Sequence, residues 1–151
     1  MNHRIGAGVI VERDGRILLV RHRKAGVYDF WVAPGGGVDD EEDLLAAARR
    51  EVFEESGLNV KPLQIAYIEE FTKPNLRECK VWFIGRFVGG VLNSTRVEAA
   101  RENIVEAAWV SRAEFAGKTV YPPMLNEDYW RDKEGGFAFP RYVGIRELDG
   151  Y

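Results

Sequence analysis

The chain has 151 residues, one domain's worth at the usual ~100–200 residues per domain, and its 46 % hydrophobic, 30 % charged and 12 % aromatic content excludes disordered, collagen-like and coiled-coil readings. A formal charge of -3 and a pI near 5.5 remove the basic footprint of a dedicated nucleic-acid binder, so duplex nucleic acid is not an expected partner, although a local basic patch can still grip a small anion. The lone cysteine, Cys79, forms neither an intramolecular disulfide nor a CxxC metal site. No apolar run approaches the ~18 residues that span a membrane. The N-terminal run Ile5 to Val11 meets Glu12-Arg13-Asp14 without the cleavage site of a signal peptide. A cytoplasmic protein, with residues 1–151 as one domain and no membrane partner, is the expectation.

In chain order, Ile5, Ala7, Val9 and Val11 alternate, Asp14-Gly15 supplies a hairpin turn, and Ile17 to Val20 resumes as a second strand. The polar bend Arg23 to Gly26 leads to an aromatic-rich piece, Tyr28 to Val32, which Pro34-Gly35-Gly36-Gly37 stops. Asp39 or Asp40 is the expected cap of a helix with Glu41, Glu42 and Asp43 in its first turn, running to Ser56 before Gly57 ends it. Strands are expected at Ile65 to Thr72 and Lys80 to Val88, joined through Pro74-Asn75, and again where Val105, Ala107 and Trp109 alternate. Residues 89–102 carry no clear signal. Pro122-Pro123 is a start for a second helix through about Lys133, and Tyr142 to Leu148 reads as the last strand. The fold class is α+β, a mixed sheet with a helix on at least one face.

Chemistry concentrates between Gly35 and Leu58, where a glycine turn feeds a helix dense with carboxylates. At ~100° per residue, Glu55 lies ~40° to one side of Glu51 and Glu54 ~60° to the other, so three carboxylates share one arc. Leu44, Ala47 and Ala48 share that arc, whereas Arg49, Phe53 and Ser56 fall roughly opposite; the acids are not on a cleanly polar face. Their repulsion needs compensation. Oxygen ligands at i, i+3 and i+4 suit a hard cation, Mg²⁺ or Mn²⁺, while the absence of nearby Cys or His disfavours zinc. The glycines let backbone approach a metal or a phosphate closely.

Gly36, then Glu42, then Arg50-Glu51-Val52-Phe53-Glu54-Glu55-Ser56-Gly57-Leu58 resembles the Nudix box, with every defining position filled. The resemblance implies an α/β/α sandwich and Mg²⁺-dependent hydrolysis of a nucleoside diphosphate linked to another moiety by water attack on phosphorus. It also implies that Glu51, Glu54 and Glu55 bind metal beside the Gly36 backbone, that Glu42 supports the site, and that Arg50 holds a catalytic glutamate in place. Nucleoside triphosphates, ADP-ribose or other nucleotide sugars, dinucleotides and dinucleoside polyphosphates all fit the box.

The resemblance places the proton acceptor either in the box, with Glu51 or Glu54 as candidates, or in the loop before a later strand, where Glu98, Glu102 and Glu106 are available. Glu102 is the choice, because it precedes the Ile104 to Val110 strand in an irregular stretch while Glu106 lies within it. The basic run Arg21-His22-Arg23-Lys24 before Tyr28 is a candidate phosphate or ribose contact, with Arg21 and Arg23 the choices within it, and Tyr28, Phe30 and Trp31 are candidate stacking partners for a base, with Tyr28 the choice. Two rival functions are a diphosphate isomerase, which wants a cysteine nearer the box than Cys79, and a ligand-sensing regulator without turnover, which would be expected to lose box carboxylates. A homodimer stays open.

Overall fold

The computed structural model describes residues 1–148; positions 149–151 of the expected domain lie outside them. The described residues form nine strands and three α-helices: β1 (Asn2–Arg13), β2 (Arg16–Lys24), β3 (Tyr28–Val32), β4 (Gly35–Gly37), α1 (Leu44–Ser56), β5 (Leu58–Lys73), β6 (Leu76–Gly90), α2 (Val97–Arg101), β7 (Ile104–Ser111), β8 (Val120–Tyr121), α3 (Asp128–Glu134) and β9 (Arg141–Glu147). Asp14 and Gly15 both take positive φ, the twist that a two-residue hairpin turn requires. At the β5–β6 turn Pro74 is followed by Asn75 at φ 69°, so turn geometry accounts for that proline.

β1 is the corner of the architecture. Its residues 2–11 run parallel to β6, and its last two residues turn away to pair with β2. One half of the mixed sheet is therefore ordered β4-β1-β6-β5-β9 and the other β7-β2-β3-β8. Alternation along β1 fills two cores. Ala7, Val9 and Val11 pack with Ala47, Ala48 and Val52 of α1, whereas Ile10 faces Trp82, Tyr67, Leu125 and the α3 residue Tyr129. Helices thus cover opposite faces of the sheet, as the expected α/β/α layering requires. No helix among the described residues is long and apolar enough to cross a membrane.

Four local expectations differ from the structure. The first helix starts later, because Asp43 rather than Asp39 or Asp40 caps it, its side chain accepting from Ala46 N at 2.7 Å. Glu41 and Glu42 therefore precede the helix. Ser56, expected on the outer arc, is fully buried: its hydroxyl donates to Val52 O at 2.6 Å and accepts from Leu58 N at 3.2 Å, which draws the last turn inward. The helix expected from Pro122 divides into a 3-10 turn at Pro123–Asn126 and the separate α3. The irregular stretch after Gly90 contains α2.

Candidate metal centre and cavity

The burial of Ala47, Ala48 and Val52 against the sheet sets the rotation of α1, and with it the direction of the acids one turn on. Glu51 and Glu55 lie inside the protein, 6 % and 2 % exposed, while Arg49 stays outside. The three glycines of β4 make room for them. Gly35 N–H donates to Glu55 Oε1 at 3.0 Å, Gly36 lies directly against the Glu51 carboxylate, and Gly37 O accepts from Arg50 Nη2 at 3.0 Å. Glycine here is a matter of space: a β-carbon at position 36 would stand 2.5 Å from Glu51 Oε2.

Arg50 organises the other carboxylates. It grips Glu42 through Nε at 2.7 Å and Nη2 at 2.8 Å, while Nη1 reaches Glu51 at 2.8 Å and Glu54 at 3.2 Å. Glu42 also accepts from Asp39 N, which ties the loop before α1 to the same guanidinium. These charge-assisted bonds hold the Glu42 carboxyl below the ordinary glutamate range and raise Arg50. Glu54, half-buried and 3.2 Å from Arg50 Nη1, stands one step outside the group that converges.

That group is Glu51, Glu55 and Glu102, with one oxygen from each lying within 4.8 Å of the others. α2 and a left-handed residue deliver Glu102. Ala99 is buried with Val20 and Ile104, and Asn103 at φ 60° reverses the chain into β7. Glu98 instead faces Arg96 at 3.7 Å, and Glu106 faces Arg21 at 3.8 Å. Desolvation, followed by the proximity of Glu102 and Glu51, pushes the Glu55 carboxyl well up, and burial also pushes Glu51 up. Glu55 Oε2 is buried and finds no donor. An orphaned carboxylate oxygen in an all-oxygen donor set, beside a glycine with no side chain, is what a hard divalent cation fits.

Glu102, Gly35 and Gly36 open onto a cavity of about 500 Å³ between the two halves of the sheet. Arg4, Lys24, Lys73, Lys80 and Arg146 line it against the acids Glu69, Glu78 and Glu102, a balance that favours anions. Register selects which basic side chains arrive. His22 pairs with Phe30 and Lys24 with Tyr28, and all four line the cavity. Arg21 and Arg23 have the opposite parity, opposite Trp31 and Asp29, and do not line it; Arg21 instead makes a bidentate pair with Asp29 at 2.7 and 2.8 Å. Of the chosen contacts Arg21, Arg23 and Tyr28, only Tyr28 lines this cavity, whereas His22 and Lys24 of the same basic run do, together with Phe30. The two-residue alternation within residues 21–24 was the available signal for His22 and Lys24. Arg4, Lys80 and Arg146 reach the site from three strands distant in sequence, and no local pattern marks them. His22 stacks on Phe30 with centroids 5.0 Å apart, and burial pushes its imidazole down.

A family model described as the NUDIX domain matches residues 2–130. The chain is 37 % identical over 103 residues to an RNA pyrophosphohydrolase of Caulobacter vibrioides, covering 58 % of this chain and 59 % of that protein. It is 32 % identical over 108 residues to the 8-oxo-dGDP phosphatase NUDT18 of Danio rerio, covering 72 % of this chain and 31 % of that protein. The chain thus spans about three-fifths or less of the length of these curated relatives. Among solved structures, a NUDIX hydrolase from Nitrosomonas europaea superposes with a TM-score of 0.74 at 24 % identity, covering 92 % of this chain and 93 % of that one.

Proposed function

Because the chain belongs to the NUDIX family, we propose that it hydrolyses a phosphoric anhydride within a nucleotide, a nucleoside diphosphate linked to another moiety, by attack of water on phosphorus. The observation that carries this reading is the convergence of Glu51, Glu55 and Glu102 beside a cavity lined by an excess of cations. The cation, Mg²⁺ with Mn²⁺ as a substitute, would be held by Glu51 and Glu55 with Glu54 and the Gly36 backbone beside them, and when bound it supplies neutralisation of the diphosphate charge. Lys24, Lys80 and Arg4 hold the phosphates, and Tyr28 lies against the base or sugar. Glu102 takes the proton of the attacking water. Arg50 keeps Glu51 and Glu54 oriented through its shared Nη1.

The test is a panel of nucleoside triphosphates, 8-oxo-dGDP, ADP-ribose, a dinucleoside polyphosphate and a 5′-triphosphate RNA oligonucleotide, each with Mg²⁺, with Mn²⁺ and with excess EDTA, in ¹⁸O-water. Metal-dependent turnover with label in one phosphate product is expected. Label at a ribose carbon, or full activity in EDTA, would overturn the reading. Nucleotide binding without any turnover would favour the ligand-sensing alternative.

A further inference from the structure

α2 has five residues, too few to hold themselves helical, and no side chain caps its N-terminus. The direction of Glu102 at its C-terminal end must therefore be set by what the turn is fastened to. The fastening is the β2–β3 hairpin. Arg23 N–H donates to Asn103 O at 3.0 Å, Asn103 Nδ2 donates to the Tyr28 hydroxyl at 2.9 Å, and His22 Nδ1 lies 3.1 Å from the Glu102 carbonyl oxygen. A carbonyl oxygen only accepts, so Nδ1 carries the proton. The parallel stack on Phe30, 6° between planes, fixes the ring that donates it. A register shift between Arg21 and His22 then brings His22 opposite Ile104 in β7, two residues beyond Glu102.

From this geometry we infer that His22 is a positioning residue: its Nδ1–H bond to the Glu102 carbonyl fixes the turn that aims the Glu102 carboxylate at Glu51 and Glu55. The inference rests on the reading of Glu102 as proton acceptor. In this role the imidazole acts as a hydrogen-bond donor to the backbone. This is a constraint on the backbone of residue 102, separate from any contact of the imidazole with substrate.

Three substitutions of His22, with Glu102→Gln alone and combined with His22→Phe, test it, assayed on whichever member of the panel is turned over fastest. His22→Phe keeps a ring on Phe30 and removes the donor, whereas His22→Asn places an amide nitrogen where Nδ1 was. His22→Gln places it one atom further out. Expected are a fall in kcat of about tenfold for His22→Phe and His22→Gln, KM within about twofold, and recovery of most of the loss in His22→Asn. Metal-free protein supplies an independent readout: the Arg23 amide, which donates to Asn103 O, should exchange faster in His22→Phe and return to its wild-type rate in His22→Asn. In a Glu102→Gln background, His22→Phe should cost nothing further. Wild-type kcat in His22→Phe or His22→Gln, a His22→Asn as impaired as His22→Phe, or a loss carried by KM would overturn the inference. An active Glu102→Gln would remove the Glu102 reading itself, and the inference with it; an inactive Glu102→Gln beside an active His22→Phe would remove only the role of His22. If His22→Phe fails to fold, the Asn and Gln pair decides the matter.

Discussion

Gly36 presses against Glu51 so closely that its missing β-carbon would stand 2.5 Å from one carboxylate oxygen and 2.6 Å from the carboxyl carbon. The glycine strand and the acidic helix are therefore fitted to each other. Gly36→Ala should displace the Glu51 carboxylate while leaving the hydrophobic packing of α1 in place. Turnover is expected to fall on the order of 10²-fold, since a shift of about 1 Å in a reacting group costs that much. Circular dichroism and a cooperative melt would check the fold, and wild-type turnover would show that the close approach has no functional consequence.

Glu55 carries a pH signature. Its carboxyl is raised in the folded protein above the ordinary glutamate value of 4.5 through desolvation and then through Glu102 and Glu51. The native state thus binds more protons than the unfolded one, and metal-free stability is present below that ordinary value and falls as pH rises through the raised one. Glu55→Gln removes the titration. In EDTA its Tm should exceed that of the wild type at pH 8, and the gap should close toward pH 4. Excess Mg²⁺ at pH 8 should raise the wild-type Tm more than the variant's. Parallel Tm curves for the two proteins would show that the buried acid is not strained.

Glu102→Gln should lower kcat on the order of 10²–10⁴, with metal affinity nearly intact, as loss of a positioned base does. Glu98→Gln and Glu106→Gln are the controls, since their partners are Arg96 and Arg21. A collapse in one control with an active Glu102→Gln would move the role to that residue. A loss confined to low Mg²⁺ would make Glu102 a metal ligand instead.

The cavity separates two kinds of basic residue. Lys80 lines it, and its Nζ sits 4.4 Å from the Trp82 ring centroid, whereas Arg21 is tied to Asp29 outside it. Lys80→Ala should raise KM for a nucleotide substrate about tenfold, the loss expected when a desolvated phosphate contact is removed. Arg21→Ala should leave KM within about twofold, because an exposed ion pair contributes little. Equal effects of both substitutions would show that the cavity does not hold the phosphates.

Much of the fold was legible along the chain because its signals are local. Alternation at Ile5 to Val11 and the Asp14-Gly15 turn marked the first hairpin, and the glycine after Ser56 marked the end of α1. The shared arc of Glu51 and Glu55 also needed only helical geometry, and the spacing from Gly36 to Leu58 carried the family resemblance. The start of α1 was less legible, since five acidic residues in a row from Asp39 to Asp43 all qualify as caps or first-turn residues, and only the bond from Ala46 to Asp43 selects one. Tertiary structure alone separated Glu54 from Glu51: both lie on the acidic arc and both meet Arg50 Nη1, but Glu51 is buried against Gly36 and converges with Glu55 and Glu102, whereas Glu54 is only half-buried and outside that group. It also decided between Arg21 and His22. Neighbours in a strand point to opposite faces, and which face meets the cavity depends on how β2 is paired and on how β1 turns between the two halves of the sheet. Glu102 lies 47 positions beyond Glu55 in a stretch with no periodic signal. Its meeting with Glu51 and Glu55 depends on a short helix, a left-handed Asn103 and the side of a distant hairpin, and such long-range contacts leave no mark in any one segment of the sequence.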